Sequence, residues 1–322
     1  MAAGIGPSAN NDVGLVIVDP TTGDRTVLSD NTTGAGPNFA SPEGVAIEPD
    51  GDLLVADRNG GPGGAASIFR VDPLTGNRSI ISSNGIGTGQ SLGEPFGIIE
   101  VGGTIFVANG NAADLLSIDP TTGNRTLFSG GAVGTGHQFF FPVGITALGN
   151  SLFVSDMSNL AFQVDPSTGN RVNFPGLGHN VPSGPTGITV SPSGEILIAS
   201  GLSPNAESVA GVYTIDPLTQ IYSLVSGGSV GTGPLPSNSG PAGIATESNG
   251  TIILSDSVLN AVMSIDPTTG NRAILSDATH GVGVSFFYPQ GVLVIPNVPE
   301  PSTIILAALG GLVLLACRRR VR

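Results

Sequence analysis

Asp119-Pro120-Thr121-Thr122-Gly123-Asn124-Arg125 is a tight turn spelled out in sequence. Aspartate caps its own turn, proline fixes φ at the second position, and glycine supplies the left-handed residue that returns the chain antiparallel. Strand-like runs flank it, Leu115 to Ile118 before and Thr126 to Ser129 after. The pattern recurs at Asp19 to Arg25, Asp72 to Arg78, Asp165 to Arg171 and Asp266 to Arg272, with a degraded copy from Asp216 to Tyr222. Successive aspartates lie 53, 47, 46, 51 and 50 residues apart, a period that marks an array of supersecondary units. Gln220 stands where the other copies have glycine, so that turn is expected to differ in shape.

Two further motifs follow the same period. Pro-x-Gly opens an apolar run at Pro42, Pro95, Pro142, Pro185, Pro241 and Pro289. A second run follows across a Gly- or Asn-containing turn, as in Leu53 to Asp57, Ile105 to Asn109, Leu152 to Asp156, Ile196 to Ser200 and Ile252 to Asp256. Four short strands per repeat, with no amphipathic helix between them, predict an all-β fold: a six-bladed β-propeller of four-stranded antiparallel blades over residues 12–296. The opening hairpin and the closing strand, Gln290 to Ile295, are assigned to one blade shared by residues 12–30 and 288–296, which locks the ring. That blade is one strand short, because no Leu-x-Val-Ala-Asp run precedes Val13. The opening also lacks the basic and apolar regions of a secretory signal. Together these predict that Met1 is an internal start, with a signal peptide and the missing strand upstream.

The Pro-x-Gly-Ile and Leu-x-Val-Ala-Asp wording is similar to NHL repeats and to the wider SMP-30-like six-bladed propellers. The resemblance implies that the Pro-x-Gly strand is innermost, where small residues let the strands crowd the axis. It also implies two kinds of activity: a protein–protein platform, or a metal-dependent lactonase or esterase holding one divalent cation through Glu, Asn and Asp side chains near the inner strands. Hard oxygen ligands of that kind suit calcium. The residues just before the inner-strand glycines are Glu43, Phe96, Val143, Thr186, Ala242 and Gln290. Only Glu43 offers a carboxylate, so no metal and no cofactor are predicted, and a divalent cation belongs to the lactonase alternative.

Asp57, Asn109, Asp156 and Asp256 recur at one blade position and are read as acceptors of a shared structural hydrogen bond. His137, His179 and His280 fall in loops between an outer strand and the next inner strand, but at unequal offsets, and are read as solvated residues rather than a zinc site. No nucleophile triad, phosphate loop or EF-hand stands out, and Gly85 to Gly89 reads as a plain loop. No catalytic residue is predicted. Binding is better supported, because two long loops, Arg58 to Ala66 and Gly201 to Gly211, share one face. Arg58, Asn59, Asn205, Glu207 and Tyr288 are the candidate ligand-binding residues. Tyr288 belongs to one of two aromatic clusters, Phe139 to Phe141 and Phe286 to Tyr288, most of whose members are expected to pack between blades.

Charge narrows the partners. With the four arginines of the extreme C-terminus and Glu300 set aside, seven arginines face 23 carboxylates, a net charge of −16 with no lysine at all. Nucleic acid is excluded, since its binding rests on neutralising phosphates, and anionic lipid headgroups are disfavoured. The single cysteine, Cys317, lies in the tail, so the body has neither disulfide nor thiol chemistry.

The tail carries the other decisive pattern. Pro299-Glu300-Pro301 is followed by an apolar run, Thr303 to Cys317, and then by Arg318, Arg319 and Arg320. Fifteen apolar residues are short of the roughly 20 that cross a bilayer unaided, and the arginines would stay cytoplasmic. The order resembles the PEP-CTERM sorting signal, here over residues 298–322 with a transmembrane helix at 303–317. The resemblance implies recognition by an exosortase-type membrane protease, transient inner-membrane insertion, and delivery to the cell surface or extracellular matrix. The expected role is a non-catalytic binding or structural module whose partner is extracellular polysaccharide or another envelope protein; the alternative is the lactonase.

Overall fold

The computed structural model describes residues 2–7, 13–158, 160–174, 184–201 and 210–295, with residues 2–7 described through their backbone pairing. The chain opens with β1 (Ala2–Pro7), β2 (Val13–Val18) and β3 (Arg25–Ser29). The first blade follows as β4 (Pro42–Ile47), β5 (Leu53–Asp57), β6 (Ser67–Val71) and β7 (Arg78–Ser83), and the second as β8 (Pro95–Val101), β9 (Thr104–Asn109), β10 (Asp114–Ile118) and β11 (Arg125–Ser129). The third comprises β12 (Pro142–Leu148), β13 (Ser151–Asp156), β14 (Leu160–Val164) and β15 (Arg171–Phe174). The fourth comprises β16 (Pro185–Val190), β17 (Ile196–Ser200), β18 (Gly211–Ile215) and β19 (Tyr222–Ser226). The fifth comprises β20 (Pro241–Thr246), β21 (Ile252–Asp256), β22 (Ala261–Ile265) and β23 (Arg272–Ser276), and β24 (Val292–Val294) ends the described chain.

The fold is an all-β propeller of four-stranded antiparallel blades. Five blades, not six, are built from consecutive strands. A further sheet is composite, in the order β24-β1-β2-β3, and joins the two ends of the chain. This corrects the expectation of a strand missing before Val13. Ala2 to Pro7 fill the place, pairing Ala2 with Val18 on one side and with Val294 on the other. The register matches that of the first blade, where Leu53 pairs with Val71. Repeat matching did not find the strand because Ala-Ala-Gly-Ile-Gly shares no side-chain pattern with Leu-Leu-Val-Ala-Asp; backbone pairing places it. The apolar run 303–317, expected to be a helix, lies outside the described residues.

The inner strands crowd through glycine. A Cβ on Gly97 would stand 2.6 Å from the Val143 carbonyl, and one on Gly291 would stand 2.6 Å from the carbonyl of Glu43. Gly291 also donates its N–H to Glu43 O at 2.8 Å, which closes the ring of inner strands. Each inner strand of the five continuous blades breaks register just after its proline, the residue that has no N–H for the ladder. The second strands, such as Leu53–Asp57, are buried along their whole length, because neighbouring blades cover both faces of the sheet. Packing is therefore between blades: Leu54, Ala56 and Ile68 of the first interlock with Ile98, Ile105, Val107 and Leu116 of the second.

The seven-residue pattern does more than turn the chain. Its arginines, Arg25, Arg78, Arg125, Arg171 and Arg272, are 3–7% exposed and clamp the preceding blade. Arg171 donates from Nη1 to Ser129 Oγ (2.8 Å) and Val133 O (2.9 Å), and from Nε to His137 O (2.8 Å), with its guanidinium over Phe139. The asparagine beside it helps: Asn170 Oδ1 accepts from Thr135 N at 2.7 Å. Gly87 and Gly89, read above as plain loop, belong to the same clasp. Both have positive φ and lie directly against the carbonyls of Gly123 and Arg125. In the hairpin between β18 and β19 of the fourth blade the turn reads Gln220-Ile221-Tyr222, and in the sequence Pro175 stands four residues after Arg171, where the other copies have serine. That turn nonetheless keeps the common shape, contrary to expectation. Gln220 adopts φ +59 and donates to Asp216 O at 2.8 Å, as Gly23 does to Asp19 O.

Candidate functional site: the mouth of the central channel

The inner strands start on the face that also carries the loops between second and third strands. There the axis opens into a cavity of about 320 Å³, lined by the inner-strand glycines together with Glu43, Phe96, Met157, Thr186 and Gln290. Glycine lines it because no side chain fits between adjacent inner strands, so backbone and a few flanking side chains supply its chemistry.

One flank is built from charge. Arg58, just after β5, donates to Glu43 Oε1 and to Glu94 Oε1, both at 3.2 Å. Its guanidinium lies 5.2 Å from the centroid of the Phe96 ring, a cation–π arrangement. Phe96 in turn meets Phe141 edge-on at 5.3 Å. Glu43 also accepts from Ser41 Oγ at 3.1 Å. Its side chain is only 9% exposed, and burial raises its pKa against the pull of Arg58. Arg58 Nε is buried and has no hydrogen-bond partner among the described residues. The cluster of two carboxylates and one guanidinium thus gathers donors and acceptors beside an aromatic face.

The sequence-derived candidates separate here. Arg58 is the centre of the cluster. Asn59 is exposed, with its backbone N–H donated to Asp57 Oδ1 at 2.9 Å. Tyr288 lies on the loop leading to Gln290, 51% exposed, at φ +56, with its N–H donated to Asn260 Oδ1 at 2.7 Å and its ring against Phe287. Asn205, Glu207 and His179 lie outside the described residues, as do Pro299, Glu300, Pro301, Arg318, Arg319 and Arg320. The aromatic clusters divide: Phe139 and Phe286 are buried between blades, while Phe140 and Phe287 are 69% and 53% exposed. Glu94 and Met157 were missed. Glu94 was findable, since it directly precedes the Pro95-Phe96-Gly97 motif.

Asp57, Asp156 and Asp256 are acceptors that hold loops. Asp57 takes the N–H groups of Ala40, Ser41 and Asn59; Asp156 takes those of Phe140, Phe141 and Ser158. Asn109 accepts from Gly93 N and donates to Asp114. Of the histidines, His137 bonds to the carbonyl of Gln138, and His280 contacts Asp277 at 2.9 Å.

A lactonase-type cation does not fit the mouth. Such an ion needs several anionic or amide oxygens around one point, yet Glu43, the one carboxylate among the described lining residues, is already bound by a guanidinium, and the buried Asp57, Asp156 and Asp256 behind it accept from loop N–H groups. Among the described residues the one carboxylate cluster of metal-binding spacing is Glu48, Asp50 and Asp52, on the opposite face, where Arg70 Nη2 donates to Glu48 at 2.8 Å.

Comparison with known proteins settles the tail. Residues 297–320 match the PEP-CTERM protein-sorting motif. The chain bearing this motif is thereby marked as an exported protein of an exosortase-type sorting system, held transiently at the membrane. No helix among the described residues is long and apolar enough to cross a membrane. The body resembles a chain of the nidogen/laminin complex, with a TM-score of 0.63 at 12% identity, over 91% of this chain and 97% of that one. It also resembles a streptogramin B lyase structure, with a TM-score of 0.52 at 17% identity, over 77% of this chain and 72% of that one. At these identities the likeness is one of fold. No curated protein matches the sequence.

Proposed function

We propose that this PEP-CTERM protein is a non-catalytic binding module of the cell envelope or extracellular matrix, a propeller completed as six blades by the composite sheet. Its ligand is a neutral polysaccharide segment, or a loop of another envelope protein, received at the channel mouth. The observation that carries this reading is Arg58 held between Glu43 and Glu94 and stacked on Phe96. Paired carboxylate and guanidinium groups hydrogen-bond vicinal hydroxyls, and exposed rings such as Phe140 and Tyr288 offer apolar faces to sugar C–H groups. The acidic body disfavours polyanions. Exosortase-type processing at Pro299-Glu300-Pro301 would release the module.

The test is binding of the full chain to polysaccharide extracted from the host's matrix, with and without EDTA. Saturable, EDTA-insensitive binding that falls about tenfold in Arg58→Ala and partly recovers in Arg58→Lys supports the reading, as expected for one charge-assisted contact. Absence of binding together with tightly retained metal favours a lactonase and directs the work to ester and lactone substrates.

A further inference from the structure

The last inner strand shows where the tail leaves the body. Gly291 sits level with Glu43 and Gly44, and the strand then runs away from the mouth. Val294 pairs with Ala2, Ala2 pairs with Val18, and Val18 abuts the Asp19 hairpin. Ile295 is buried with Leu53 and Val71, at the hairpin ends of their strands. The chain therefore exits on the hairpin face, opposite Arg58. The sorting motif begins at residue 297, two residues later. Pro299 is four residues beyond Ile295, a reach of at most about 14 Å at full extension.

That face is acidic. All six hairpins begin with an aspartate, Asp19, Asp72, Asp119, Asp165, Asp216 and Asp266, the turns after the inner strands add Asp50, Glu195 and Glu247, and the end of β8 adds Glu100. Among the described residues little positive charge offsets them. The five clasp arginines are buried between blades, and Arg70 is paired with Glu48. A short tether thus holds an acidic surface close to anionic headgroups, within about one to two Debye lengths at physiological ionic strength, where repulsion is still felt.

We propose that the hairpin face is the membrane-proximal side of the tethered protein, that its carboxylates hold the body off the anionic leaflet, and that the Arg58 mouth is thereby presented outward. This rests on reading residues 297–320 as a membrane-held sorting signal. Release at the motif then frees a module whose binding face was already directed away from the membrane.

The experiment uses the full chain in a Cys317→Ser background, with an environment-sensitive dye at Thr121→Cys on the hairpin face or at Val258→Cys on the mouth face. Each is reconstituted into phosphatidylethanolamine–phosphatidylglycerol vesicles carrying a headgroup quencher. The expected result is quenching about severalfold stronger at residue 121 than at 258, increasing when phosphatidylglycerol is omitted or when salt shortens the Debye length. Equal or reversed quenching overturns the orientation. Quenching at 121 that ignores lipid charge and salt overturns the repulsion. Flotation reports association separately: a chain that never associates with vesicles overturns the membrane-held reading of the tail, and the orientation with it.

Discussion

Arg171 donates a 2.8 Å hydrogen bond to Ser129 across the junction between the second and third blades. The same pair recurs as Arg78 with Ser29, Arg125 with Ser82, Arg272 with Ser226 and Arg25 with Ser276, at 2.6–2.8 Å. Burial lowers the pKa of each of these arginines, yet they stay charged, since an arginine is not deprotonated in proteins. Arg171→Lys is expected to destabilise the protein by about 2–3 kcal/mol, because an ammonium cannot reproduce the planar fork to Ser129, Val133 and His137 or its stacking on Phe139. Urea unfolding midpoints check this.

Gln220→Gly is expected to stabilise by about 0.5–1 kcal/mol. The position is left-handed, and glycine occupies it in the five intact copies without the Cβ penalty. The reverse change, Gly123→Gln, is expected to destabilise by more, since a Cβ there would collide with the Ile81 carbonyl of the adjacent blade. Thermal melts of the two variants should move in opposite directions.

Gly97→Ala tests the crowded axis. Its Cβ would stand 2.6 Å from Val143 O and 2.8 Å from Ile145 N, both backbone atoms that cannot rotate away. A loss of about 1–3 kcal/mol is expected, the range for overpacking, with widening of the mouth that changes ligand binding as well. Gly51→Ala, where the space is open but φ is +100, should cost stability and leave binding unchanged.

Two acids are expected to give opposite pH signatures. Asp277 is pushed up by burial, but hydrogen bonds from His280 and Thr279 outweigh this and hold it at about 2, below its ordinary 3.8. Its contribution is therefore complete above the ordinary value and lost as pH falls through about 2. Glu43 is raised by burial, so the folded protein binds its proton more tightly than the unfolded chain. The advantage is present below its ordinary 4.5 and fades as pH rises through the raised value. Asp277→Asn should flatten the acid limb of a stability-versus-pH curve, and Glu43→Gln the limb above 4.5.

Repetition made the architecture legible. Aspartate, proline and glycine act within a few bonds of the backbone, so the hairpins from Asp19 to Asp266 could be placed by local chemistry alone, whereas the inner place of the Pro-x-Gly strands came from their resemblance to NHL and SMP-30-like propellers. The tail was legible for the same reason, as a linear order of Pro-Glu-Pro, apolar run and arginines. Arg58 was found because it follows Asp57 on a long loop. Its partner Glu94 lies 36 residues away, and no local rule links the two.

What the amino-acid order determined by itself is the period, the turn chemistry and the sorting motif, since each depends on neighbours along the chain. What only the tertiary structure decided is which residues meet across a junction. The strand Ala2–Pro7, the clasp of Arg171 on Ser129, the cluster around Arg58 and the exit of the tail on the acidic face arise when blades pack. The contacts that create them join residues tens to hundreds of positions apart, where sequence spacing carries no distance information.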